Sequence, residues 1–303
     1  MQTRNNRAGL GFLGKHPMNG IQSVDKDILA VVSGTALNRD MTEVVFESIA
    51  RTYALPPTTV TVRKMAFQMN SITTSVRLYG YPKTLEDQCF QSSTVGKPAL
   101  PASVCDISER ALDCEHLQHA NLRSAHALKS IGDNAFAFSA PRRINLADSA
   151  LESIGEAAFA YSRLESFTAP PSLRAIGESA FFDCSLLRHV DLSGMRRQGS
   201  ISLSALAFSR SCLEDIRLPR TLRVIGKGTF QGCKNLQSVA FPDGSELEEI
   251  REAAFQGCGL ESFAAPLSLK KIGDMAFSEC PELKDFQLTE NIQELGWLCL
   301  WKT

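Results

Sequence analysis

Cys114, His116 and His119 form a Cys-x-His-x-x-His cluster, and His126 follows seven residues further on. A thiolate and imidazoles are zinc-ligand types, and a structural zinc site needs about four such donors held tetrahedrally. Near the start, Gly9-Leu10-Gly11-Phe12-Leu13-Gly14-Lys15-His16 matches the glycine spacing of two phosphate-binding loops. His16, however, stands where such a loop places a metal-binding hydroxyl, Pro17 follows directly, and no strand pattern precedes. Backbone N–H groups are then not aimed at a phosphate, and the segment reads as a glycine-rich tail. No Ser/His/Asp order, cysteine–histidine nucleophile context or paired-carboxylate motif is recognisable in the chain. The expectation is a non-enzymatic protein with no cofactor and no metal.

The elements that would position these residues come from a repeat. Ile-Gly-x-x-Ala-Phe recurs at Ile131–Phe136, Ile154–Phe159, Ile176–Phe181 and Ile272–Phe277, with variants at Ile225–Phe230 and Ile250–Phe255. With the aromatic as anchor, the series runs Phe67, Phe90, Leu112, Phe136, Phe159, Phe181, Phe208, Phe230, Phe255, Phe277, Leu300. Self-similarity at such a period signals a stack of coils. Aliphatic residues stand eight before the anchor (Leu128, Leu151, Leu173, Leu222, Leu247, Leu269, Ile292) and five before it (Ile131, Ile154, Ile176, Leu203, Ile225, Ile250, Ile272, Leu295). All are expected to point inward. After the anchor comes Leu-x-x-Val-x-Leu, whose period-two ending suits a short strand. The glycine before Ala-Phe suggests a tight or left-handed turn, and Ala-Phe-x-x-Cys leaves room for about one turn of helix or 3₁₀ geometry. One unit cannot bury its apolar edge alone, whereas stacked units can. In this frame Leu112, Leu117 and Leu122 take inward slots, which puts the nearby histidines outside.

Together these residues form Leu-x-x-Ile-Gly-x-x-Ala-Phe-x-x-Cys-x-x-Leu-x-x-Val-x-Leu-Pro, which resembles the BspA-like class of leucine-rich repeats. The resemblance is strong from about Leu128 to Leu288, weaker over Val60 to Leu122, and absent before about Leu55. It implies a right-handed arc with short parallel strands on the concave face and one-turn helices or turns on the convex side. It also implies a role as a surface antigen, an adhesin or a protein-binding scaffold. Binding residues vary in such repeats, so none transfers by motif.

Two segments are predicted. Residues 1–57 form an N-terminal extension in which Asp40-x-x-Glu43 resembles a capping box and Met41, Val44, Val45, Ile49 and Tyr53 predict an amphipathic capping helix over 41–53. A degenerate coil around Leu29, Val32, Ala36 and Leu37 is the alternative. Residues 58–303 form the solenoid of about ten units, the last incomplete. There Trp297 and Trp301 offer an end cap, a self-association surface or the mark of a truncated reading frame. The net charge of −1 argues against nucleic acid or an anionic membrane as partner. No apolar run has the length of a membrane span or a signal peptide, so the expected location is cytoplasmic, with the cell surface as the alternative from the resemblance. Cys184, Cys233, Cys258 and Cys280 each sit three residues after an anchor, which predicts a ladder of buried free thiols, with a bridge between neighbouring rungs about 5 Å apart as the alternative in an oxidising compartment.

Function is expected on the solenoid surface, with a protein as partner. Residues flanking the central Val of Leu-x-x-Val-x-Leu should face outward: Arg143/Asn145, Ser166/Thr168, His189/Asp191, Asp215/Arg217, Ser238/Ala240, Ser262/Ala264 and Asp285/Gln287. The charged and polar members Arg143, Asn145, His189, Asp191, Asp215 and Arg217 are the candidate contacts. One step of the series is lengthened near Ser193–Ser200, where Arg196 and Arg197 could grip an acidic partner.

Overall fold

In the computed structural model the described residues are 43–44, 52–55, 61–62, 64–68, 75–78, 82–96, 100–118, 120, 122, 125–195 and 201–303. They build a parallel β-solenoid with three columns of inter-coil hydrogen bonds. The first column is a ladder of short strands ending at the aliphatic residue five before each anchor. It runs Glu43–Val44, Thr61–Val62, Thr84–Leu85, Asp106–Ile107, Ser130–Ile131, Ser153–Ile154 and Ala175–Ile176. It resumes as Ile201–Leu203, Leu222–Ile225, Glu249–Ile250, Lys271–Ile272 and Glu294–Leu295. Like residues pair across coils, as in Ile131↔Ile154 and Ile154↔Ile176. In-register pairing keeps one side of every strand in the core.

The second column lies on the Leu-x-x-Val-x-Leu side. Its strands are Thr52–Leu55 with Ser75–Leu78, then Ser166–Thr168, His189–Asp191 and Asp215–Arg217, then Ser262–Ala264 with Asp285–Gln287. Single bridges join Arg143 to Ser166 and Arg217 to Ala240. Each of the three-residue strands turns its middle residue inward and its flanking residues toward the outside, as the period of two requires.

The third column is the anchor turn. The anchor N–H donates to the carbonyl before the next anchor, for example Phe159 N to Ala180 O (2.7 Å) and Phe181 N to Ala207 O (2.7 Å). This segment is turn in every described coil, not a helix. The cause lies in left-handed residues two before the anchor and, except at Cys114 in the Leu112 coil, two after it, such as Asn134 and Phe138 or Ala157 and Tyr161. Each closes an i→i+3 turn as its third residue, and its own N–H leaves the coil to bond the next one, as Ala157 N does to Glu178 O (2.9 Å). A non-glycine residue with positive φ costs about 1 kcal/mol or more, and here the inter-coil bond offsets it.

The repeated glycine serves a different purpose from the one expected. Gly132, Gly155, Gly177, Gly226, Gly273 and Gly296 do not have positive φ. They lie against the previous coil: a Cβ on Gly177 would sit 2.5 Å from the Gly155 carbonyl carbon, and one on Gly226 would sit 2.4 Å from Leu203 O. Close coil stacking, not turn geometry, demands them.

The core follows the predicted columns. Phe67, Phe90, Phe136, Phe159, Phe181, Phe208, Phe230, Phe255 and Phe277 are fully buried. Consecutive rings stack, with Phe159 and Phe181 at 5.1 Å and 9° and Phe255 and Phe277 at 5.1 Å and 11°. Such pairs add about 0.5–1.5 kcal/mol each beyond area burial. Leu112 interrupts the series without opening it. In the last coil Leu295 and Leu300 are exposed, contrary to the inward expectation, because their coil has a neighbour on one side only.

Cys184, Cys233, Cys258 and Cys280 are buried and unbridged. Each Sγ–H donates to the anchor carbonyl of the preceding coil: to Phe159 O (3.0 Å), Phe208 O (3.1 Å), Phe230 O (3.0 Å) and Phe255 O (3.1 Å). Ser139, Ser162 and Ser211 take the same place in other coils, and the Ser211 hydroxyl donates to Phe208 O at 2.6 Å. Burial pushes the Cys184 and Cys233 thiols up to about 12 and raises Cys258 and Cys280 in the same direction.

Glu43–Val44 and Thr52–Leu55 are strands within the segment where spacing predicts a helix over 41–53. Glu43–Val44 joins the first ladder, with Val44 opposite Val62, and a ladder partner overrides helical spacing. Residues 45–51, the start of that helix, Asp40 and everything before it lie outside the described residues.

Candidate interaction surface

The strand triplet at the second column brings the predicted residues together. Arg143, Ser166, His189 and Asp215 are register partners in one outward row, and Thr168, Asp191 and Arg217 form the row beside it. Spacing of about 4.8 Å between parallel strands puts their side chains within reach of one another.

Polar and charged side chains of these rows pair across coils. His189 Nδ1 lies 2.5 Å from Asp215 Oδ2, and Arg217 lies 3.6 Å from Asp191 Oδ2. On the strand shoulder, Arg188 pairs with Glu214 at 2.9 Å, and Arg142 with Glu165 at 3.0 Å. Asp191 Oδ1 also accepts from the Ser193 backbone N–H (2.9 Å) and hydroxyl (2.6 Å). Asn145 Oδ1 accepts from the Ala147 N–H at 3.1 Å, and Arg143, 85% exposed, is only 3.8 Å from Glu165. Between the rows lies an open depression of about 280 Å³ lined by Ser166, Phe167, Thr168, His189, Val190, Asp191, Asp215 and Arg217. Wet pairs of this kind contribute about 0–1 kcal/mol each, so they orient one another more than they stabilise the fold. Arg196 and Arg197 lie outside the described residues.

Ser166, His189 and Asp215 stand side by side, a grouping that the sequence hides because 23 and 26 residues separate them. The row is open to water and no hydrogen bond joins the Ser166 hydroxyl to the imidazole. Nucleophilic catalysis needs that bond or a route to it. The cysteine–histidine cluster disperses in the same way. Cys114 Sγ points inward to Ser93 O (2.6 Å), while His126 Nδ1 meets Asp148 O on the surface (3.2 Å). Among the described residues no three His, Cys, Asp or Glu side chains are grouped so that they could hold a metal. His119 lies outside them, as does the glycine-rich segment at Gly9–His16.

The profile of the BspA type leucine rich repeat region, in six copies, matches residues 45–150, 125–201 and 201–303. The chain belongs to the BspA-type leucine-rich-repeat family. Among solved structures, the pneumococcal vaccine antigen PcpA is similar to it at 22% identity, over 86% of this chain and 79% of that one, with a TM-score of 0.52. A leucine rich cell surface protein from Faecalibacterium prausnitzii A2-165 matches at 20% identity over 86% of both chains, with a TM-score of 0.47. No curated protein matches the chain significantly. The BspA-type coil explains which side varies: the anchor turn and first ladder carry the repeated Ile-Gly-x-x-Ala-Phe, whereas the outward strand residues change from coil to coil. Among the described residues no helix is long and apolar enough to cross a membrane.

One surface feature escaped the sequence reading. Phe138 and Tyr161 are large, exposed and stacked on each other at 4.8 Å. Both stand two residues after an anchor, and that common phase was the available signal.

Proposed function

We propose that this chain is a non-enzymatic, protein-binding scaffold whose contact surface is the outward face of the second ladder. The observation behind this reading is the polar and charged face of Arg143, Asn145, His189, Asp191, Asp215 and Arg217 around an open depression. Its charges are paired with one another across coils, so the face is ordered before a partner arrives, and an ordered face loses less entropy on binding. Arg196 and Arg197, which follow Asp191 in sequence, are the further candidate contacts.

The test is a charge exchange. Asp215→Lys with Arg217→Glu reverses the local order while leaving Ile216 buried between them. Loss of complementary pairs costs about 2–5 kcal/mol where they are desolvated on binding and far less at a wet rim. A partner captured from extract with the intact chain should bind this variant at least tenfold more weakly, with circular dichroism and thermal midpoint unchanged. Equal binding would remove the strand face from consideration and leave Arg196 and Arg197 as the next surface.

A second reading, a surface antigen or adhesin, draws on PcpA, a vaccine antigen with the same fold. Protease treatment of intact cells, followed by detection of this chain, decides between the two locations. Digestion with cytosolic markers intact supports the surface reading, and full protection overturns it.

A further inference from the structure

A row of aromatic side chains runs along the outside of the anchor turns. Phe138 and Tyr161 are 52% and 46% exposed and stack with only 4° between their planes. Tyr161 then meets the edge of Phe182 at 5.6 Å. Beyond it the Arg210 guanidinium lies over the Phe182 ring, 5.8 Å from its centre, with Nε 3.9 Å from Asp183. One end of the row is thus closed by a cation resting on an aromatic face beside a carboxylate.

The other end has the same chemistry without the cation. Tyr161 covers one face of Phe138, and the opposite face looks toward the preceding coil. The residue two after the anchor of that coil is the small, buried Cys114, so no ring continues the stack. A depression of about 460 Å³ results, lined by Ser92, Ser93, Asp113, Glu115, His116 and Phe138. Asp113 is half buried and accepts one hydrogen bond, from Gln91 Nε2 at 3.3 Å; burial lifts its carboxyl above the usual range. Arg110 acts on Asp113 through its charge but makes its ion pair with Glu109, at 3.9 Å. Among the described residues no cationic side chain pairs with Asp113 or Glu115.

We propose that this depression receives an arginine side chain of a polypeptide partner, its guanidinium laid on the free face of Phe138 and paired with Asp113 and Glu115. Arg210, Phe182 and Asp183 provide the internal precedent. Arginine suits the site better than lysine, because a planar guanidinium can stack on a ring while its edge donates to carboxylates. The same three coils also expose Asp133, Glu156 and Glu178, each three residues before its anchor. These exposed carboxylates favour a partner with further basic residues by raising its encounter rate. The surface is separate from the strand face, so it adds a second contact region to the proposed scaffold.

Fluorescence anisotropy with a labelled short peptide carrying two arginines and a leucine, beside its citrulline counterpart, tests the assignment on the full chain. The arginine peptide should bind at least fivefold more tightly. Phe138→Ala should weaken it about threefold, consistent with a cation–π contact of about 0.5–1 kcal/mol. Asp113→Asn with Glu115→Gln should abolish the preference over citrulline. Asp215→Lys with Arg217→Glu should leave peptide binding unchanged, which separates this site from the strand face. Equal binding of the two peptides, or parental binding by both the Phe138 and the Asp113/Glu115 variants with unchanged thermal midpoints, would overturn the proposal.

Discussion

Replacing Cys184 and Cys233 with serine should remove much of the solenoid's sensitivity to alkali. In the folded chain, burial holds both thiols at about 12 against an ordinary value of 9.0. In the unfolded chain they ionise at the ordinary value. Below pH 9 both states keep these protons, and the pair contributes no pH dependence. As pH rises above 9 the unfolded state releases protons that the folded state retains, so stability falls by about 1.4 kcal/mol per pH unit for each thiol until the folded value is reached. At pH 10 the two thiols together should cost about 3 kcal/mol relative to pH 7. Cys258 and Cys280 add in the same direction. Serine does not titrate here, and the fold already accepts it: Ser211 donates to Phe208 O at 2.6 Å, the carbonyl that Cys233 reaches at 3.1 Å. Urea melts of parent and double variant between pH 7 and 10.5 measure the effect. The stability difference between them cancels lysine and tyrosine ionisation, and should move by about 3 kcal/mol in favour of the variant between pH 8 and 10. A difference that stays constant with pH, or rapid maleimide labelling of the native thiols at pH 8, would refute the buried ladder.

Two further substitutions probe the stacking. Phe230, which lies between Phe208 (5.8 Å) and Phe255 (5.2 Å), should cost about 3–5 kcal/mol when changed to alanine. Amide exchange should accelerate in the flanking coils before distant ones. Gly177→Ala places a methyl 2.5 Å from the Gly155 carbonyl carbon, a backbone contact that cannot rotate away. A loss of at least about 2 kcal/mol is expected, and a thermal midpoint equal to the parent would show that the coils stack more loosely than described.

The core columns are legible in the sequence because each demands the same side chain from every coil. Ile131, Ile154 and Ile176 announce their register by identity alone, and Phe136, Phe159 and Phe181 do the same for the stacked rings. Backbone demands leave a fainter trace. Close approach and positive φ both select glycine, so Ile-Gly-x-x-Ala-Phe reveals that a small residue is needed without revealing why. The left-handed positions carry residues as different as Asn134, Ala157, Ser179 and Leu206, since their requirement is met by an N–H bond to the next coil and not by a side chain. At the strand face the outward pairs follow from period two. The row of Ser166, His189 and Asp215 arises only on stacking, and the open face of Phe138 depends on what the preceding coil lacks.

The continuity of the anchor-turn column has a mechanical consequence. Its hydrogen bonds pass from Phe67 to the last coil without a gap and cross the lengthened step through Phe181 N to Ala207 O. The strand columns are segmented: the first stops at Ile176 and restarts at Ile201, and the second has no named strand between Arg217 and Ser262. The turn edge therefore acts as an inextensible cable, and the strand side as a row of plates separated by compliant joints. A load that bends the molecule should open the joint beside Ile176 while the cable keeps its length. Amides at Ile201–Leu203 should then exchange faster than those of Phe181 and Phe208, and uniform protection across that coil would contradict the division. A partner gripping the strand face on both sides of the joint would set the local bend at little elastic cost, making the curvature of this solenoid adjustable at that place.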